Sequence, residues 1–230
     1  MGWKMDGTRK HLCIIDTCSL VYLRDVKVAG RPLHKWLWSE FDVQFSSVVL
    51  GELSSFKQKL GFRYDWNDHV WVSSKIPSYE RAIFSSHQRR IEEGKCKHCR
   101  QITWKNTTLK TDLAGTEDKG ERHNCCVALD AILSGKYTQV IFLSDDLRAL
   151  RDYAQYFFDI FPLGSIWTLF DFITYLLTKY YGTITLDDAQ EALRVINLQD
   201  GRNSEKRSQQ LSVYNRKLER IVEVLSQIKS

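Results

Sequence analysis

Two short apolar runs that each stop at a carboxylate constrain the fold of this chain more than anything else in it. HLCII at 11–15 ends in Asp16, and VIFL at 140–143 ends in Ser144, Asp145 and Asp146. Continuous apolar runs this short, without in–out alternation, suit strands covered on both faces. Elsewhere the pattern turns helical. Leu20 and Leu23 fall at helical spacing within 17–26, Pro32 opens a helix at 33–39, and a second strand at 41–45 leads through Ser46-Ser47 as an N-cap into a helix with Val49, Leu53 and Phe56. Residues 120–134 form a helix anchored by Val127, Ala128, Ile132 and Leu133 and closed by Gly135; another follows 145–146, and 157–161 reads as a last strand. Strand alternating with helix predicts an α/β protein with a central parallel sheet in a three-layer α/β/α sandwich. A chain of 230 residues with 43% hydrophobic content can bury such a core as one decorated domain, and two small domains are the other arrangement its length allows.

The expected domain spans 11–198, with 62–119 as an insertion. Its first part, 62–74, is irregular and rich in Trp and Asp with a small strand at 70–72, followed by a polar helix at 77–93 stopped by Gly94, and then KCKHCR at 95–100. After Pro162 come helices at 167–181 and 186–196, the second capped by Thr185. Residues 199–208 (QDGRNSEKRS) have linker composition, and a C-terminal helix at 209–230 sets Leu211, Tyr214, Leu218, Ile221, Leu225 and Ile228 three and four apart. Such a seam either docks on the parent domain or pairs with another chain, a protein partner or a second copy. No apolar run reaches the ~18 residues of a membrane-spanning helix, and residues 1–10 lack an apolar signal core. A cytoplasmic protein without a membrane partner is therefore expected.

The net charge of +5 is mild, but its distribution is uneven. Across 81–110 eight basic residues face two acidic ones, and a second basic surplus follows Arg202. Arg89, Arg90, Lys95, Lys97 and Arg100 are the candidates to touch a nucleic-acid backbone; a solvated face is the plain alternative.

The acids matter more. Asp16 follows the first strand, Glu52 sits on the helix after the second, Glu121 opens the helix at 120–134, and Asp145-Asp146 follow the strand at 140–143. Carboxylates gathered at one edge of a parallel sheet repel one another unless a cation neutralises them, and hard oxygen donors select Mg²⁺ or Mn²⁺. Any one of them alone reads more simply as a helix N-cap. Among the six cysteines, Cys13 belongs to a strand core. Cys96-x2-Cys99 and His123-x2-Cys126 together offer four N and S donors for a tetrahedral, structural Zn²⁺, with Cys125 as an alternative ligand. Buried or free thiols are the other reading. Asp130, nine residues beyond Glu121, should face away from the acids, and Asn124, one turn beyond Glu121, should face solvent, with lining the site as the other reading.

Four blocks, CIIDTCSLVYL (13–23), SSVVLGEL (46–53), GERHNCCVALDAI (120–132) and VIFLSDDLRALR (140–151), resemble in order and spacing the acidic motifs of PIN-domain nucleases. PLGS at 162–165 and GTITLDDAQEALRVI at 182–196 resemble the C-terminal part of the branch whose third acid lies in a Gly-Glu pair. The resemblance implies a metal-dependent nuclease, most simply a ribonuclease of the toxin or defence type and otherwise a DNA nuclease, leaving a 5′-phosphate and a 3′-hydroxyl. It implies Asp16, Glu52, Glu121 and Asp146 as metal-binding acids, Asp145 as a second candidate at the fourth position, and Thr17 and Ser144 as hydroxyls orienting carboxylates. Cys18 and Tyr22 stand where many relatives carry Ser or Asn. A partner that restrains the enzyme by docking on the last helix is a further expectation.

Three rivals stay open. One is a PIN-like binding module without chemistry. Another is an aspartyl phosphotransferase or phosphatase, although Cys18 occupies the position where that chemistry usually wants a second Asp. The third is an interaction scaffold built around the C-terminal seam.

Overall fold

The computed structural model describes residues 11–56, 66–82, 119–146, 162–199 and 204–229. Four strands form one sheet in which every neighbouring pair is parallel: β1 (His11–Ile15), β4 (Phe41–Gln44), β5 (Val140–Leu143) and β6 (Gly164–Trp167), in the order β4-β1-β5-β6. Two-residue strands β2 (Lys27–Val28) and β3 (Arg31–Pro32) make a separate antiparallel hairpin turning through Ala29 and Gly30, both at positive φ. Helices with both ends among the described residues are α1 (Thr17–Tyr22), α2 (Leu33–Glu40), α3 (Ser47–Phe56), α4 (Lys119–Leu133), α5 (Leu169–Lys179), α6 (Leu186–Gln199) and the long C-terminal α7 (Ser204–Lys229), and residues 76–82, where a polar helix was expected from 77, are helical as well. The chain is thus an α/β protein whose parallel sheet is flanked by helices.

Period-two alternation divides the core. Cys13, Ile15, Phe41, Val43 and Leu143 point into one apolar cluster with α2, α5, α6 and Leu218 of α7. Leu12, Ile14, Val140 and Phe142 point into another, shared with Cys125, Val127, Ala128 and Ala131 of α4. That two-sided burial is why the strands read as uninterrupted apolar runs.

Among the described residues, several elements depart from the sequence reading. The helix expected over 17–26 ends at Tyr22, and the hairpin follows. The last described strand is β6 at 164–167; the strand expected at 157–161 lies outside the described residues. All four β6 residues are half-buried, so periodicity carries no sign of it. Gly164 is required there, because a Cβ would stand 1.8 Å from the Val140 carbonyl oxygen. A capping box between Thr168 and Asp171 then starts α5 two residues later than the expected 167.

Another departure is at the expected linker, 199–208. There α6 continues to Gln199 and α7 begins at Ser204. Arg207 caps the end of α6, with Nη1 donating to the Asn197 and Leu198 carbonyls, while Asn197 Nδ2 donates back to the Arg207 carbonyl. Leu211, Tyr214, Leu218 and Val222 dock α7 on the body, whereas Val224 and Ile228 are exposed. Among the described residues no helix is long and apolar enough to cross a membrane.

Candidate metal centre

The chain leaves β1 towards β4 on one side and leaves β5 towards β6 on the other. The carboxyl-terminal edge between β1 and β5 is therefore a divergence point of the kind where open α/β sheets bind ligands. Asp16 lies there. It is the N-cap of α1, with Oδ1 accepting from the Ser19 amide at 2.7 Å and Oδ2 accepting from the Ser144 hydroxyl. Only 3% exposed, its carboxyl is pushed up to about 7 by burial, against the opposing pull of its bonds to Ser144 and Ser19 and with a small push from the charge of Asp145.

Ser144 lies on the loop after β5, buried, and its hydroxyl also accepts from the Asp146 amide at 3.2 Å. Thr17 Oγ1 donates to Glu52 Oε2, tying the first turn of α1 to α3. Glu52 in turn lies against the start of α4, where a Cβ on Gly120 would sit 3.0 Å from Glu52 Oε1. The glycine of the Gly-Glu pair thereby leaves room for the carboxylate of the second block. Thr17 and Ser144, the two hydroxyls singled out in the sequence, are thus each hydrogen-bonded to one of the candidate acids.

Asp145 does different work. Its carboxylate accepts from the Ser19 hydroxyl at 3.1 Å and from the Leu169 amide at 3.2 Å, so it pins the N-terminus of α5 to α1. Asp146 is half-buried on the same loop, and Glu121 is half-buried in the first turn of α4.

The thiol of Cys18 reports where the acids meet. It opens to solvent on one side, and the protein packed behind it is the largest influence raising it to about 12. Next come the charges of Asp16, Asp146, Glu121 and Glu52. Four acids from four separate segments thus act on one sulfur atom. Among the described residues, however, no three His, Cys, Asp or Glu side chains stand in coordinating geometry. The acids share an edge and a field rather than a closed ligand cage.

Asn124 departs from the sequence reading, being fully buried rather than facing solvent. Its Oδ1 accepts from the Ser46 amide at 3.1 Å and its Nδ2 donates to the Ile15 carbonyl at 3.2 Å. Ser19 was missed as well, although its place three residues after Asp16 is that of an N-cap partner. Asp130 lies apart from the acids, holding the indole N–H of Trp71 at 2.9 Å.

The zinc half-site Cys96 and Cys99 and the basic candidates Arg89, Arg90, Lys95, Lys97 and Arg100 lie outside the described residues. His123 Nε2 is 3.3 Å from Glu80 Oε2, and Arg122 Nε donates to Glu80 Oε1 at 3.1 Å. Cys126 is buried beside this group, its thiol raised to about 12 by burial and then by the charge of Glu80. Cys125 is also buried and feels Glu121 instead, so Cys126 is the cysteine that shares a side of α4 with His123.

Comparison of the chain with family models, with curated proteins and with solved structures gave no significant match.

Proposed function

We propose that this protein is a PIN-like, divalent-metal-dependent nuclease that hydrolyses phosphodiester bonds of RNA, with DNA as the second substrate class. The observation that carries the reading is that Asp16 and the Asp146 backbone share the Ser144 hydroxyl while Thr17 holds Glu52 against Gly120, next to Glu121, on the edge of the sheet where the connections diverge. Those four acids would hold Mg²⁺ or Mn²⁺, and the donor set fits such an ion in its chemistry: hard carboxylate oxygens with hydroxyls holding them. Burial that leaves the Asp16 carboxyl near 7 is a cost that a neighbouring cation offsets.

A bound ion of this kind activates a water and neutralises charge building on the phosphodiester. The chain's own residues supply the rest. Ser144 and the Ser19 amide fix both oxygens of Asp16, Thr17 fixes one oxygen of Glu52, and Gly120 lets Glu52 approach α4. Asp145 secures α5 and has a supporting place in this reading. By the family resemblance the products carry a 5′-phosphate and a 3′-hydroxyl, and the biological class is a toxin or defence-type ribonuclease acting in the cytoplasm. A structural Zn²⁺ at Cys96, Cys99, His123 and Cys126 and a basic insertion that grips the backbone belong to the same proposal, as do a three-layer sandwich and a partner or second copy at the exposed end of α7.

One observation favours a second reading, a PIN-like binding module without chemistry: no coordinating trio among the described residues.

The deciding test incubates the full chain with labelled single- and double-stranded RNA and DNA, with Mg²⁺ or Mn²⁺ and with chelator. Chelator-sensitive cleavage that falls ~100-fold or more in Asp16→Asn and Glu121→Gln, with the fold intact, is the expected outcome. Nucleic-acid binding without cleavage would select the module instead.

A further inference from the structure

We infer that Asn124 is the positioning residue that holds three acid-bearing segments in register, an inference that rests on the nuclease reading above. The β1–β4 ladder ends at the pair Ile14–Gln44, so the next backbone groups, the Ile15 carbonyl and the Ser46 amide, have no rung between those strands. Asn124 inserts its side chain at that fork. It accepts from Ser46 N at 3.1 Å and donates to Ile15 O at 3.2 Å, so one amide replaces a backbone rung. The partners themselves fix which way the amide lies, because an N–H can only donate and a C=O can only accept.

Each end of the bridge leads to an acid. The Ile15 carbonyl belongs to the peptide bond that enters Asp16, and Ser46 caps α3, which carries Glu52. Asn124 is one turn beyond Glu121 on α4. A displacement of α4 from the fork therefore moves Glu121 relative to Asp16, and also moves Gly120, against which Glu52 packs. All three groups of the bridge are buried, so water cannot substitute for a lost partner without a rearrangement. A buried Asp, kept neutral there, would still offer an acceptor and a donor side by side, whereas Leu keeps the size and offers neither.

The test compares full-length wild type, Asn124→Leu, Asn124→Ala and Trp71→Phe. Trp71→Phe deletes a part-buried hydrogen bond to Asp130 of α4, away from the acids, and serves as a control for the loss of a tie to that helix. Mn²⁺ affinity is measured by calorimetric titration, kcat and KM on a labelled RNA are measured in parallel, and folding is checked by circular dichroism. Asn124→Leu should bind Mn²⁺ ~10-fold more weakly and lose kcat with KM for RNA unchanged, while Trp71→Phe keeps wild-type affinity. If Asn124→Leu does not fold, Asn124→Ala, which leaves room for water at the fork, carries the comparison. Wild-type Mn²⁺ affinity in the folded Asn124 variant, or equal weakening in Trp71→Phe, overturns the positioning role while leaving the nuclease reading intact. Failure of the wild type to bind Mn²⁺ overturns both, and Mn²⁺ binding without cleavage removes the nuclease reading while the affinity comparison still decides the role of Asn124.

Discussion

Burial acts on Asp16 more strongly than any of its hydrogen bonds. Its carboxyl, ordinarily near 3.8, is raised to about 7. A carboxyl raised on folding contributes stability that is fully present below its unfolded value and is lost as pH rises through the folded value. Metal-free protein should therefore melt at progressively lower temperature between about pH 4 and pH 7, Asp16→Asn should flatten that slope, and saturating Mn²⁺ should oppose it; thermal melts across pH read all three. A slope that survives in Asp16→Asn would assign the effect to other groups. Ser144→Ala removes a bond to the ionised form of Asp16 and should reduce metal affinity by ~10-fold or more, measured by titration. At this scale the sequence exposed the acids and two hydroxyls beside them, but not the more distant groups that hold them. Asp16 announces itself at the end of an apolar run, and the two flanking hydroxyls follow from the motif. Asn124 could not be read in the same way, because Ser46 lies 78 residues away and Ile15 109 away along the chain. Asp145 looked like an equivalent of Asp146 until Ser19 and Leu169, 126 and 24 residues distant, were seen to claim it.

Elements follow the same logic of local against distant cause. β1 and β5 were legible because burial on both faces writes a run of apolar residues, and β4 because buried Phe41 and Val43 alternate with Asp42 and Gln44. β6 was not, since its half-buried residues carry no alternation and its reason for existing is a neighbour, β5. Gly164 marks that contact. Gly164→Ala would drive a methyl group into the Val140 carbonyl and should cost about 3 kcal/mol, or prevent folding, as measured by urea denaturation. A cost below about 0.5 kcal/mol would show that the strands can part there without penalty. The C-terminal seam was legible as a stripe, but its start was hidden by polar residues at 204–208, which are helical partly because Arg207 caps α6. Within α7, Leu218 is fully buried and Ile228 is 74% exposed. Leu218→Ala should cost about 3 kcal/mol and Ile228→Ala less than about 0.5 kcal/mol in the same denaturation assay. Equal costs would mean that the far end of α7 is covered in solution, by a partner or by a second copy.

For the whole molecule, topology does what composition cannot. Strand order β4-β1-β5-β6 sends successive connections to opposite sides of β1 and gathers the acids after β1 and β5 at one edge, and α3 and α4 bring Glu52 and Glu121 to the same place. Mild net charge and hydrophobic content allow many functions; this shared edge is the ground for proposing chemistry that a hard cation supports. The basic insertion and the zinc half-site at Cys96 and Cys99 add a substrate grip to the proposal, and elemental analysis of purified protein should find one Zn²⁺ per chain, lost in Cys126→Ser. The central claim is that Asp16, Glu52, Glu121 and Asp146 share one divalent-cation site. Anomalous diffraction from Mn²⁺-soaked crystals of the full chain tests it most directly. The account predicts a manganese peak among these four carboxylates beside Cys18; strong manganese peaks elsewhere with none at this edge would contradict it.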